Sequence, residues 1–188
     1  MADTIVCPVL QDYLDTQDCV ENFAGVGTVV YVFQKEDLAA PLVLTDNVYS
    51  TPTFKSGKGM YKIVCKDESQ EIPSESLGKK KGFKLTINCT IDAVNKITSK
   101  LSRAINNLDL GFIVPDGADN QIIYDPQRKV TFASGGIKDT TGKAATDERK
   151  TDLAGVLQPV LYSHLYVTAP TTGGWDSLLA SAATAPAG

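Results

Sequence analysis

Nine residues constrain this chain more than any others. From Phe83 to Ile91 apolar and polar side chains alternate without exception. Phe83, Leu85, Ile87, Cys89 and Ile91 fall on one side, and Lys84, Thr86, Asn88 and Thr90 on the other. A period of two is that of a β-strand with one face buried, because successive side chains of an extended chain point to opposite faces. At Asp92 the period changes, and Val94, Ile97, Leu101, Ala104, Ile105 and Leu108 recur at helical spacing. The pattern predicts one amphipathic helix over residues 92–107, capped by Asp92 or Thr90, stopped at Asn106-Asn107, and laid on the inner face of the sheet.

Strand signals continue on both sides of this pair. Thr28-Val29-Val30-Tyr31-Val32-Phe33 is β-branched and aromatic throughout, which suits a strand covered on both faces. In Met60–Lys66, residues Tyr61, Ile63 and Cys65 share one face. After the helix, Gly111–Val114 stops at the turn Pro115-Asp116-Gly117, Gln121–Tyr124 at Asp125-Pro126, and Val130–Phe132 at Gly135-Gly136. The segments 67–82 and 138–152 are polar and read as long loops, and 155–168 reads as one or two strands split at Pro159. The expected fold is mainly β (α+β): a β-sandwich or barrel with one helix packed on it. A single domain spans 1–188, with an extended N-terminal arm over 1–26 (one helical turn near Gln11–Leu14), a β core over 27–168 and a flexible C-terminal arm over 169–188.

Composition limits the function. Apolar residues are 43% and charged residues 21% of the chain, a globular balance, and the net charge of −4 is opposite to the basic excess that nucleic-acid coats and membrane-surface proteins carry. No apolar stretch is long enough for a membrane span, and Met1-Ala2-Asp3-Thr4 shows no secretory pattern. Cys7, Cys19, Cys65 and Cys89 lack metal-ligand spacing and read as reduced thiols, Cys65 and Cys89 as core residues. Asn88-Cys89-Thr90 matches a glycosylation sequon inside the best strand, where it reads as accidental.

Catalytic constellations do not emerge. His164 is the single histidine and reads as a structural strand residue. Gly57-Lys58-Gly59 and Gly142-Lys143 lack the framework of a phosphate-binding loop, and Asp147-Glu148 lacks the alternating oxygen ligands of a cation loop. The expectation is a non-enzymatic protein with no cofactor and no metal, whose working parts are its surfaces.

One resemblance bears on those surfaces. Its residues are Gly57-Lys58-Gly59-Met60-Tyr61-Lys62, Ser74-Glu75-Ser76-Leu77-Gly78 with Gly82-Phe83-Lys84-Leu85, the run from Leu101 to Pro115, and Gly142-Lys143-Ala144-Ala145-Thr146-Asp147. In style and order these segments resemble phage and prophage virion proteins of gut Bacteroidetes and, more broadly, tail-tube subunits of long-tailed phages. The resemblance implies a virion subunit assembled in the bacterial host cytoplasm. Its partners would be copies of itself in stacked hexameric rings and other virion proteins, with DNA only as passing cargo and no membrane. It also implies subunit contacts through 66–82 and 138–152, with Ser76, Lys79, Lys80, Lys81, Thr141, Lys143, Asp147, Glu148 and Arg149 as candidates. Another virion part (tail terminator, head–tail connector or capsid decoration protein) and a non-enzymatic cytoplasmic binding module stay open beside it.

Overall fold

The structure, a computed structural model, describes residues 28–116, 119–143 and 146–180. The readings of 1–26, with Cys7 and Cys19, and of 181–188 lie outside the described residues. In chain order the strands are β1 (Val29–Gln34), β2 (Leu44–Thr45), β3 (Val48–Tyr49), β4 (Tyr61–Val64), β5 (Ser74–Ser76) and β6 (Phe83–Ile91). Helix α1 (Lys96–Asn107) follows, then β7 (Leu110–Asp116), β8 (Asp119–Ile123), β9 (Ile137–Thr140), β10 (Lys150–Val160) and β11 (Tyr166–Val167). They form a seven-stranded sheet, β2-β3-β11-β8-β7-β1-β4, and a four-stranded sheet, β5-β6-β10-β9. Among the described residues the fold is mainly β with a single α-helix, as the alternation and its break at Asp92 predict. The helix connects β6 of the smaller sheet to β7 of the larger one.

Register explains the burial. Val32 lies opposite Phe112, and Phe112 opposite Ile123, so these side chains share the face that meets the small sheet. From the other side come Leu85, Ile87 and Cys89 of β6, cross-strand to Leu157, Gly155 and Leu153 of β10. The Phe132 ring packs edge-on to Phe112 at 6.1 Å and occupies the space that a side chain on Gly155 would need. Leu85 and Leu157 are fully buried; each such side chain removed from water contributes about 2 kcal/mol.

The opposite face of β1 is covered as well, in accord with its doubly apolar sequence. Phe33 packs against Phe54 and Tyr124, each at 5.9 Å, and Tyr124 packs against Tyr49. The Tyr31 hydroxyl donates 2.7 Å to Asp176, and burial together with that carboxylate pushes its pKa up to about 12.

Several expectations need correction. Residues 169–180 are not a loose arm. Trp175 is buried, its Nε1–H donates 2.8 Å to Asn120, and Leu179 bridges to Met60. Segment 138–152 is not one loop: Lys138, Asp139 and Thr140 pair with Asp152, Thr151 and Lys150, leaving 141–149 as the turn. Within 67–82, β5 pairs with β6. Strand β7 runs on through Pro115 and Asp116, beyond the end of its pairing with β1 at Ile113, so the missing N–H of Pro115 breaks no ladder there. Val130–Phe132 makes a single bridge, Thr131 to Val156. Tyr61 is 57% exposed although Ile63 and Cys65 on its face are buried.

The helix begins later than the pattern suggests. Asn95 is the cap: its side chain accepts from the N–H groups of Ile97 and Thr98, while the Thr98 hydroxyl accepts from Asn95 N–H. Its buried side centres on Thr98 and Ile105, whereas Ile97 is 76% and Leu108 40% exposed. At about 100° per residue, the buried face is turned roughly 60° from the apolar stripe.

Candidate subunit-contact surfaces

The candidate residues occupy two turns of the small sheet. The first joins β5 to β6. Leu77 N–H donates 2.9 Å to the Gly82 carbonyl, Lys81 N–H donates 3.0 Å to the Gly78 carbonyl, and Gly78 N–H donates 3.2 Å to the Ser76 hydroxyl. Gly82 has φ +81° and passes directly over the Val160 carbonyl, so a side chain fits there neither sterically nor conformationally. This tight turn leaves Lys79, Lys80 and Lys81 exposed, and among the described residues none of their ammonium groups is ion-paired. Lys84, one strand position inward, is instead engaged with Glu75 at 3.0 Å.

The second turn, 141–149, joins β9 to β10. Lys143 N–H donates 2.7 Å to the Asp147 carboxylate, and Gly142 takes φ +74° where an added side chain would collide with Asp147. Glu148 lies 2.6 Å from the Lys66 ammonium, just past β4. That hydrogen bond, with its charge attraction, holds the Glu148 carboxyl below the usual glutamate range and raises the Lys66 ammonium. Arg149 donates 3.3 Å to the Val94 carbonyl ahead of α1. Glu148 and Arg149 therefore brace their own turn, while Thr141 and Lys143 present exposed side chains.

The two turns are not brought together. Phe83 pairs with Val160 at one end of the sheet and Ile91 with Thr151 at the other. The lysine triplet sits beyond the first end and 141–149 beyond the second, separated by nine residues of β6, or about 27 Å of strand. Asp67, Glu68 and Asp92 are exposed at the second end, where Lys66 N–H donates 2.7 Å to the Thr90 carbonyl. One end is thus basic; the other carries five acids (Asp67, Glu68, Asp92, Asp147, Glu148) beside Lys66, Lys143 and Arg149. Asp67, Glu68 and Asp92 are not among the contact candidates of the sequence, because only the β6–β10 register shows which end they reach.

A third surface was not anticipated. Strand β4 is the outermost strand of the large sheet, and Tyr61 and Val64 on it are 57% and 63% exposed. By contrast, His164 is a positioned polar group. It lies in a bend between β10 and β11, not within a strand, with Nδ1 3.1 Å from Gln121, which donates 2.9 Å to Asp116. Among the described residues no cluster of three or more His, Cys, Asp or Glu is able to hold a metal, and no helix is long and apolar enough to cross a membrane.

Comparison with family models, with curated proteins and with solved structures finds no match to this chain.

Proposed function

We propose that this protein is a non-enzymatic, self-assembling structural subunit of a virion, a tail-tube subunit whose copies stack as hexameric rings around a DNA conduit. The observation that carries the reading is the placement of a basic turn and an acid-rich end at opposite limits of one rigid sheet. A surface complementary to its own far end forms heterologous contacts, and such contacts repeat head to tail into rings or filaments. The resemblance in segment order supplies the virion context. The outer edge of β4, beyond Met60 where residues 178–180 hydrogen-bond to it, adds a second direction of contact, since an unpaired strand edge is a template for another chain. The overall net charge of −4 suits a wall past which DNA slides, because a basic lining would hold phosphates.

A charge swap tests it. Lys79→Glu/Lys80→Glu/Lys81→Glu is expected to stay monomeric, and so is Asp67→Lys/Glu68→Lys, while an equimolar mixture of the two regains assembly. Assembly of either variant alone at wild-type level would remove these turns from the account.

A further inference from the structure

Cys65 and Cys89 belong to different sheets yet lie side by side. Cys65 is the first residue past β4, the outermost strand of the large sheet, and Cys89 is part of β6 in the small one. The two backbones meet next to them: Lys66 N–H donates 2.7 Å to the Thr90 carbonyl, and Thr90 N–H donates 3.2 Å to the Ser69 hydroxyl. Cys65 is itself held in place, its N–H donating 2.8 Å to the Thr28 carbonyl. Both cysteines are buried, and their thiols are within hydrogen-bonding reach of each other. Sulfurs brought together by backbones already in contact satisfy the main demand of a disulfide, which accepts Cα separations up to about 7 Å.

The two thiols are chemically unequal. Cys89 donates to the Cys65 sulfur, and the buried Gln70 side chain, whose Nε2 donates 2.8 Å to the Lys66 carbonyl, hydrogen-bonds to the same sulfur. These bonds lower the pKa of Cys65 against the opposing effect of burial, whereas Cys89 is raised and keeps its proton. One sulfur is therefore the nucleophile, and the other is a resolving thiol already beside it. Among the described residues no third ligand turns the pair into a metal site.

We propose that Cys65 and Cys89 are an oxidation site, closed by a peroxide into a disulfide that staples the edge of the large sheet to β6 of the small one. The Cys65 thiolate attacks one oxygen of hydrogen peroxide, the O–O bond breaks, and the departing hydroxide takes a proton and leaves as water. Cys65 is then a sulfenic acid. The Cys89 sulfur attacks the Cys65 sulfur, the S–O bond breaks, and the hydroxide leaves with the Cys89 proton as a second water. In sum two thiols give up two protons and two electrons, and one hydrogen peroxide becomes two waters. The oxidant is little larger than water, and Cys65 sits at a strand end, where local opening is easiest. A reducing compartment keeps the pair open and an oxidising one closes it, whether or not the protein is a virion subunit.

The test uses the full chain, treated with hydrogen peroxide in native buffer, quenched, and then labelled with iodoacetamide in denaturant. The expected product is an intrachain Cys65–Cys89 bridge, mapped by mass spectrometry of the unreduced digest. Labelling of these two residues should fall at least about fivefold below that of the untreated chain. The bridged chain should melt about 5 °C or more above the reduced one, because the bridge constrains the unfolded state, and dithiothreitol should reverse the shift. Full labelling of both residues after treatment would overturn the proposal. So would bridges to Cys7, Cys19 or a second chain in place of the internal one, or a bridged chain that melts no higher than the reduced one.

Discussion

The Glu148 carboxylate sits 2.6 Å from the Lys66 ammonium, joining the turn of the small sheet to the segment that leaves the edge strand of the large one. Both partners are solvent-accessible, so the pair orients the turn more than it stabilises the fold.

This geometry has a pH signature. The Glu148 pKa is depressed and that of Lys66 raised. The stabilisation from Glu148 is present above the ordinary glutamate range and is lost as pH falls through its depressed value. That from Lys66 is present below the ordinary lysine range and is lost as pH rises through its raised value. Carbon-detected NMR titration should place the Glu148 inflection below that of an unpaired glutamate, and Lys66→Ala should return it to the ordinary range. An unchanged inflection in the variant would refute the pair.

Gly82 and Gly57 both have positive φ, yet only Gly82 faces an obstacle, the Val160 carbonyl. Gly57→Ala should cost about 1 kcal/mol through backbone strain alone, and Gly82→Ala at least about 2 kcal/mol more. Urea midpoints at constant slope check the difference.

Trp175 is the only tryptophan of the chain and is buried against Tyr31 at 6.3 Å. Native fluorescence should therefore be blue-shifted and move red in a single transition on unfolding. Trp175→Ala is expected to destabilise by about 3–5 kcal/mol. A solvent-exposed emission spectrum at neutral pH would mean that 169–180 does not cap the sheet.

The free thiols Cys65 and Cys89 are 4% and 5% exposed and lie within hydrogen-bonding reach of each other. The hydrogen bond to Cys65 and burial push the Cys89 thiol upward, away from the reactive thiolate. Iodoacetamide at neutral pH should label neither cysteine in the folded chain and both in about 6 M guanidinium, a denaturing concentration.

How much of this was legible in the sequence depended on whether burial and polarity agreed. In β6 every buried position is apolar or partly so, and the strand is read directly. The start of β10 hides because Thr151, 1% exposed, is polar. Its hydroxyl lies 2.7 Å from Asp139 and 3.0 Å from the Ala93 carbonyl and donates to one of them, so a polar residue occupies a core position. The orientation of α1 was misread for a related reason: Thr98 faces inward as part of the capping box, and Ile97 is displaced outward. Residues 169–174 have loop-like Gly, Thr, Pro and Ala composition, and only the short run Trp175, Leu178 and Leu179 signals that the segment folds back. The opposed charged ends depend on strand register, which no local pattern encodes.

The turn 141–149 can be examined without harming the sheet, since pairing resumes at Thr140 and Lys150. Replacing 141–149 by Asn-Gly, a two-residue hairpin turn, should keep the melting temperature within a few degrees of wild type while abolishing assembly. Assembly at wild-type level would exclude this turn as a contact.

Self-association is the central claim, and light scattering coupled to negative-stain electron microscopy over a range of protein concentrations tests it most directly. The account predicts masses that are multiples of 20.1 kDa, rising with concentration, and rings or tubes with a central channel. A species of 20.1 kDa at every concentration, with no rings in the micrographs, would contradict it.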